Sequence, residues 1–356
     1  MDSITQAVLG ASVQGALLGR WQGRKALLYG AALGTLPDLD VVIDYGDAVA
    51  DMTYHRGFSH SLLVTAAASV LLAWLVRRYR PHPGYSAMRL WLCIWLVLTT
   101  HILLDAFTTY GTQLFWPLST PPVAISSIFI IDPLYTIPLL LAVLGGLLFG
   151  LHRTGWLRAQ SVALLLSSLY LGSTLVGQQM AGQRLEQALA ARGIEAESTF
   201  VAATPFNTVL WRVMAVDGDD YYEGLVSWFD QRPMELERLP RRASEGQQAL
   251  EQSPQHARLR WFTNDLLRYD LIDGQWVVTD LRLGMPGYHP FRFALAEQDE
   301  QGDVQLISSV EQWPMGRPPL EDLLALRDRA LSQDRPIAIG RLAGALARAP
   351  VSESAD

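Results

Sequence analysis

The first 180 residues contain no glutamate; the earliest is Glu186. That stretch holds ten Arg or Lys and eight Asp, whereas the remainder carries eighteen basic and twenty-seven acidic side chains. Such a division within one chain points to two solvents, lipid for the first half and water for the second. Cysteine is almost missing too. Cys93 stands alone in an apolar segment, which excludes a disulfide framework and a thiolate metal site. There is no basic run, and the formal net charge is −7. The clustered cationic face that a duplex demands is therefore lacking, so nucleic acid is excluded as a partner. The leading residues carry Asp2 and neither Lys nor Arg, so no positive n-region precedes the first apolar segment, which is expected to be retained rather than cleaved.

What the chain does have is apolar length. Half of its 356 residues are hydrophobic. Four stretches, 61–76, 89–107, 127–150 and 159–177, each approach the ~20 apolar residues needed to cross a bilayer. Two shorter ones, 4–19 and 25–37, are rich in Gly and Ala and suit closely packed helices or half-spans. If all six cross, the loops holding Arg20, Arg24 and Lys25, then Arg77, Arg78, Arg80 and Arg89, then Arg153 and Arg158, lie on one side. By the positive-inside rule that side is the cytoplasm. The loops 38–60 and 108–127, and everything after 180, are then expected outside.

Past the membrane part, residues 181–197 read as an amphipathic connecting helix. Residues 198–315 read as an antiparallel sheet with a helix near 245–264. "TVLWRVMAV" and "YYEGLVSWF" flank "DGDD", "DLLRYDLI" and "QWVVTDLRL" flank Asp273-Gly274, and "FRFALA" precedes "VQLISSV". Residues 316–356 read as a helical tail with little to bury. The expected architecture is an all-α membrane bundle followed by an α+β extracytoplasmic domain.

Polar residues converge on the outer edge of the expected bundle. "LPDLD" contributes Asp38 and Asp40, "HRGFSH" contributes His55, Arg56 and His60, and "HILLD" contributes His101 and Asp105. His101 and Asp105 are four apart and share one helix face, which Thr108 and Thr109 continue. Gln6 and Asp132 reach the same edge from the first and fifth segments. Ionisable groups in a span are costly and are usually kept for a site, although a His–Asp bond between packed helices explains the pair equally well. Two loop histidines beside an Arg could also be merely solvated, and "PDLD" alone is an ordinary helix end. Taken together, imidazoles and carboxylates are what Zn2+, Mn2+ or Fe2+ prefer. Six candidates, His55, His60, His101, Asp105, Asp38 and Asp40, exceed one tetrahedral Zn2+. Either two ions are held or some Asp residues orient the imidazoles. His82, His152, His256 and His289 have no companions in this pattern.

"MDSITQAVLGA", "GTLPDLD", "HRGFSHSL", "HILLDAFTTYGT" and "FIIDPLYT" follow one another across about the first 140 residues. In these stretches the chain resembles the YdjM-type bacterial inner-membrane proteins, described as LexA-regulated metal-dependent hydrolases. More loosely, the pattern is similar to zinc-dependent phospholipase C. The resemblance implies a helical membrane domain, a divalent metal and a hydrolase activity. The pattern departs at Thr5-Gln6, where shorter relatives carry Thr-His, and after "FWPLS", where Thr120-Pro121-Pro122 stand in place of an Asp and an Arg.

The leading expectation is a hydrolase at the outer membrane face acting on a phosphoester of lipid or envelope material. Asp38 or Asp40 would act as proton acceptor, and Arg56 would hold a phosphate oxygen or bridge to Asp40 or Asp44. The alternatives are a non-catalytic envelope protein tied together by metal, with an outer domain that binds an unidentified protein partner, and a transporter. A transporter would place its ionisable groups near mid-membrane, whereas these gather toward one face.

Overall fold

The computed structural model describes residues 1–285, 287–315 and 318–347. Two compact units divide the chain. One comprises residues 1–43, 54–175 and 205–207; the other comprises 44–53, 176–204 and the described residues from 208 onward.

The first unit is helical. Helices α1 (Ser3–Gln22) and α2 (Arg24–Gly34) form a tight hairpin. The Asp2 side chain caps α1 by accepting from the amides of Ile4 and Thr5, and Gly23 turns the chain at φ +56°. Glycines let the two backbones touch: a Cβ on Gly10 would lie 2.3 Å from the Gly30 carbonyl oxygen, and one on Gly34 would lie 2.6 Å from that of Gln6. Pro37 then opens a 3₁₀ turn, Pro37–Val42, directly after α2. Past α3 (Ala48–Tyr54), which apart from its last residue belongs to the second unit, a short turn, Phe58–His60, leads into α4 (Leu62–Tyr79), α5 (Ala87–Ala106), α6 (Pro133–Phe149) and α7 (Thr154–Ala190).

Helices α4, α5 and α7 are long and apolar enough to cross a membrane. The 127–150 stretch yields only the 17 residues of α6, because Asp132 caps that helix by accepting from the Tyr135 amide and Pro133 starts it. Helix α5 is the inner one: half of its apolar window is buried, against 17% for α4. It packs on α1 and α4, and Leu9, Val13, Leu27, Val97, Leu104 and Leu139 share one core.

The 37 residues of α7 run about 55 Å at 1.5 Å per residue, well beyond the ~30 Å hydrocarbon layer. The helix expected over 181–197 is the continuation of α7 and ends at Ala190. Its last turns belong to the second unit, where Ala181, Leu185 and Leu189 pack on Trp211, Val213 and Val226.

The second unit holds two antiparallel sheets, each ordered as a simple meander. β1 (Ser198–Ala203), β2 (Leu210–Asp217), β3 (Asp220–Ser227) and β4 (Glu237–Pro240) form the first. β5 (Leu267–Ile272), β6 (Gln275–Asp280), β7 (Arg292–Gln298) and β8 (Val304–Leu306) form the second. All three expected hairpins are present, and Asp273 and Gly274 both take positive φ, as a two-residue turn requires. The helical stretch near 245–264 is two helices, α8 (Ala243–Ala249) and α9 (Pro254–Thr263), separated before Pro254.

One expectation fails in this unit. The helical tail is not peripheral: Leu326 and Ala330 of α10 (Leu320–Leu331), with Ile339 and Ala343 of α11 (Ile339–Ala343), are buried in the core with Leu210, Met214 and Leu225. The end of the expected tail, 348–356, lies outside the described residues.

Candidate metal centre

The last carbonyls of a helix have no partner within it. Gly34, the final residue of α2, uses its free oxygen to receive Nδ1 of His101 on α5 at 2.6 Å. A carbonyl only accepts, so Nδ1 carries a proton, and Nε2 is the nitrogen turned toward the cluster. His60, in the turn before α4, is held similarly. Its Nδ1 is 2.9 Å from Ser59 Oγ, and that hydroxyl donates to Asp40 Oδ2 at 2.6 Å. With its own proton given to a carboxylate, the serine oxygen accepts from the imidazole. The two Nε2 atoms therefore face each other at 3.2 Å in a buried space.

Two carboxylates close the set. Asp105 Oδ2 lies 3.0 Å from His60 Nε2 and 3.4 Å from His101 Nε2. Asp38 Oδ1 lies 3.4 Å from each of the same nitrogens. This oxygen is buried without a hydrogen-bond partner.

These distances test whether an ion fits. Bonds of about 2.0–2.1 Å around a tetrahedral ion separate neighbouring ligand atoms by about 3.3–3.4 Å. The five contacts above run from 3.0 to 3.4 Å, and all four atoms lie within 4.8 Å of one another. Two imidazole nitrogens and two carboxylate oxygens converge at these separations, and they are the donor types a divalent ion takes, so Asp38, His60, His101 and Asp105 fit a single divalent metal.

The two oxygens of Asp105 divide their work. While Oδ2 faces the centre, Oδ1 receives Gln6 Nε2 at 3.1 Å, Arg56 Nη2 at 3.2 Å and the Met1 amino nitrogen. Gln6 is fully buried and also donates to the His101 carbonyl at 3.2 Å. It thus supports two ligands from behind.

The remaining sequence candidates take other places. Asp40 and His55 are not in the four-residue group: His55 Nδ1 lies 2.9 Å from Asp40 Oδ1, and His55 packs edge-on to the Tyr110 ring. Burial raises the Asp40 pKa, but His55 and Ser59 outweigh it and hold the carboxyl below its usual value. Arg56 bridges to Asp105 rather than to Asp40 or Asp44, and its guanidinium lies over the Tyr110 ring at 5.0 Å. Its backbone amide, at a residue with a positive φ of 59°, donates to Asp40 Oδ2 at 3.0 Å. Thr108 donates to the Asp105 carbonyl at 2.7 Å, and Thr109 is half-buried beside it. Asp132 caps α6 and accepts from Tyr170 at 2.8 Å, so it serves helix packing.

Sequence reasoning missed Ser59 and the Gly34 carbonyl. Ser59 lay inside the "HRGFSH" motif, and its neighbour His60 was the available signal. No side-chain pattern could have marked a backbone carbonyl.

The model of the YdjM inner membrane protein family matches residues 1–181, which include all four residues of the cluster. The chain is 31% identical over 150 residues to the uncharacterized protein YfhP of Bacillus subtilis (strain 168), covering 40% of this chain and 45% of that one. It is 34% identical over 93 residues to the inner membrane protein YbcI of Escherichia coli (strain K12), covering 26% of this chain and 52% of that one. The chain therefore spans about half the length of the curated relatives it matches. No solved structure matches. With half of its length matched, apolar helices of crossing length and a buried His/Asp cluster at the matched motifs, the chain belongs to the YdjM inner membrane protein family.

Proposed function

We propose that the protein is a metal-dependent hydrolase that cleaves a phosphoester at the extracytoplasmic face of the inner membrane, with Zn2+ as the preferred ion. The observation that carries this reading is the asymmetry of the cluster. His60, His101 and Asp105 are at most 1% exposed, whereas the Asp38 side chain is 21% exposed. Catalytic metal sites keep one side open for water or substrate, and structural ones are closed. When bound, a divalent ion supplies Lewis acidity and lowers the pKa of water toward neutrality.

The residues of the chain do the rest. Gly34 and Ser59 fix the imidazoles, and Gln6 with Arg56 aims Asp105. Asp40, anionic and outside the ligand group, takes the proton, with His55 as the more exposed member of that pair. The loop charges of the first half support an outward-facing site and an extracytoplasmic second unit.

A second reading, a metal that only ties Pro37–Val42, the His60 turn and α5 together, draws on the burial of three of the four ligands. Asp40→Asn separates the two. In detergent-purified, Zn2+-loaded full-length protein, the hydrolase reading expects metal content and melting temperature to hold while turnover of bis(p-nitrophenyl) phosphate is lost. Loss of metal and stability together, with no turnover by the parent protein, would favour the structural reading. His60→Ala and His101→Ala should each release the metal; metal content unchanged in both would remove the site from either reading.

A further inference from the structure

The 3₁₀ turn Pro37–Val42 has three residues per turn, so residues three apart share an edge. Pro37 and Asp40 form the buried edge. The other two edges are open. Asp38 shares one with Val41, which is 71% exposed; Leu39 and Val42, 56% and 80% exposed, form the other. Asp38, the one residue of the cluster whose side chain is partly exposed, therefore stands on a ridge of bare aliphatic side chains. Leu36 and Ile43 extend the ridge at both ends, also exposed. On the histidine side, exposed Phe58 directly precedes Ser59 and His60 and packs edge-on to the Trp116 ring at 6.4 Å.

A mouth built for a water-soluble phosphoester would carry polar or cationic groups here. Arg56, the cation of the "HRGFSH" motif, is buried and committed to Asp105. On its histidine side the rim leads along the chain into α4, a helix of membrane-crossing length. Three residues after His60, α4 presents Leu63, and then Val70, Leu71 and Trp74, all exposed on a helix long enough to span a bilayer. Clustered exposed apolar side chains mark contact surfaces, and beside a helix of membrane-crossing length the contact that fits them is lipid.

We infer that the substrate is a membrane amphiphile whose apolar portion lies against Leu39, Val41, Val42 and Phe58 while its phosphoester reaches Asp38. This rests on the hydrolase reading of the metal centre. In the reaction, the oxygen of water bonds to phosphorus and the ester P–O bond breaks. The proton lost by water passes to Asp40 and balances the one taken up by the departing alcohol.

Two measurements on the full chain in phosphatidylglycerol-containing vesicles test the inference. First, Val42→Cys labelled with an environment-sensitive dye should be quenched at least twofold by lipids spin-labelled near the headgroup; Cys93 is buried and stays unlabelled. Absence of quenching overturns the inference, and energy transfer between dyes in its place would assign the rim to a second copy. Second, the metal-loaded protein should hydrolyse a fluorescent phosphatidylglycerol in vesicles. The double variant Val41→Ser, Val42→Ser should lose at least tenfold of that rate, with metal content and the rate on bis(p-nitrophenyl) phosphate kept within twofold. Turnover of the soluble ester with vesicle lipid untouched overturns the inference and leaves the hydrolase reading standing. Failure on both substrates by the metal-loaded protein defeats both.

Discussion

Two serines in one short stretch, Ser59 and Ser61, should respond in opposite ways to replacement by Ala. Ser59 is half-buried and bridges His60 Nδ1 at 2.9 Å to Asp40 Oδ2 at 2.6 Å. Ser59→Ala removes the acceptor that fixes the His60 tautomer and frees the ring to rotate away from the centre. Asp40 keeps the Arg56 amide at 3.0 Å, so its position survives. Partners that orient metal-binding histidines are worth roughly 10–100-fold in metal affinity, which is about 1.4–2.8 kcal/mol. Without metal, only a partly exposed hydrogen-bond pair is lost, about 1 kcal/mol. Ser61 instead caps α4, accepting from the amides of Leu63 and Val64, and donates to the Trp116 carbonyl at 2.7 Å. Ser61→Ala should cost about 1–2 kcal/mol of stability and leave the affinity alone. The assay is a Zn2+ competition titration against a chelating fluorophore in detergent, paired with melting curves in excess EDTA. If Ser59→Ala binds Zn2+ within twofold of the parent, or Ser61→Ala loses as much affinity, the relay argued for His60 is wrong.

Gly30→Ala would put a Cβ 2.3 Å from the Gly10 carbonyl, forcing α1 and α2 apart at about 1–3 kcal/mol, and should weaken Zn2+ binding by shifting the Gly34 oxygen from His101. Gly155→Ala, which meets nothing within 4 Å, is the control and should leave both the melting temperature and the affinity in place. In the second unit, burial first and then Arg212 push His289 well below its ordinary pKa, and burial also lowers His256. The unfolded chain therefore binds more protons below about 6.5, and the stability present above that pH is lost as pH falls through it. Hydrogen exchange of β5–β7 in the full chain should speed up between about pH 7.5 and 5.5, and His289→Gln should flatten that dependence. A reporter fused after residue 180 should be active only if it folds outside the cytoplasm, and one inserted at 80–85 only if it folds inside; the reverse pattern would turn the metal centre to the cytoplasm.

Much of this protein is local in origin and can be read along the chain. Apolar runs of bilayer length, a first half without glutamate, and period-two strands around Asp273-Gly274 suffice for a helical membrane part followed by antiparallel sheet, because each depends on neighbours in sequence. The chemistry of the centre was local too: imidazoles and carboxylates in "PDLD", "HRGFSH" and "HILLD" name the ligand types wherever they meet. Tertiary structure alone decided which of six candidates converge. His60 and His101 are 41 positions apart, and their Nε2 atoms meet only because glycines bring α1 against α2 and leave the Gly34 carbonyl beside α5. Asp38 and Asp40, equivalent in the sequence, part because a 3₁₀ turn sends residues two apart to different edges, one into the cluster and one to Ser59 and His55. A positive φ at Arg56 and the packing of the C-terminal helices onto the sheets were equally invisible, since both depend on contacts made across the fold and not on pattern along the chain.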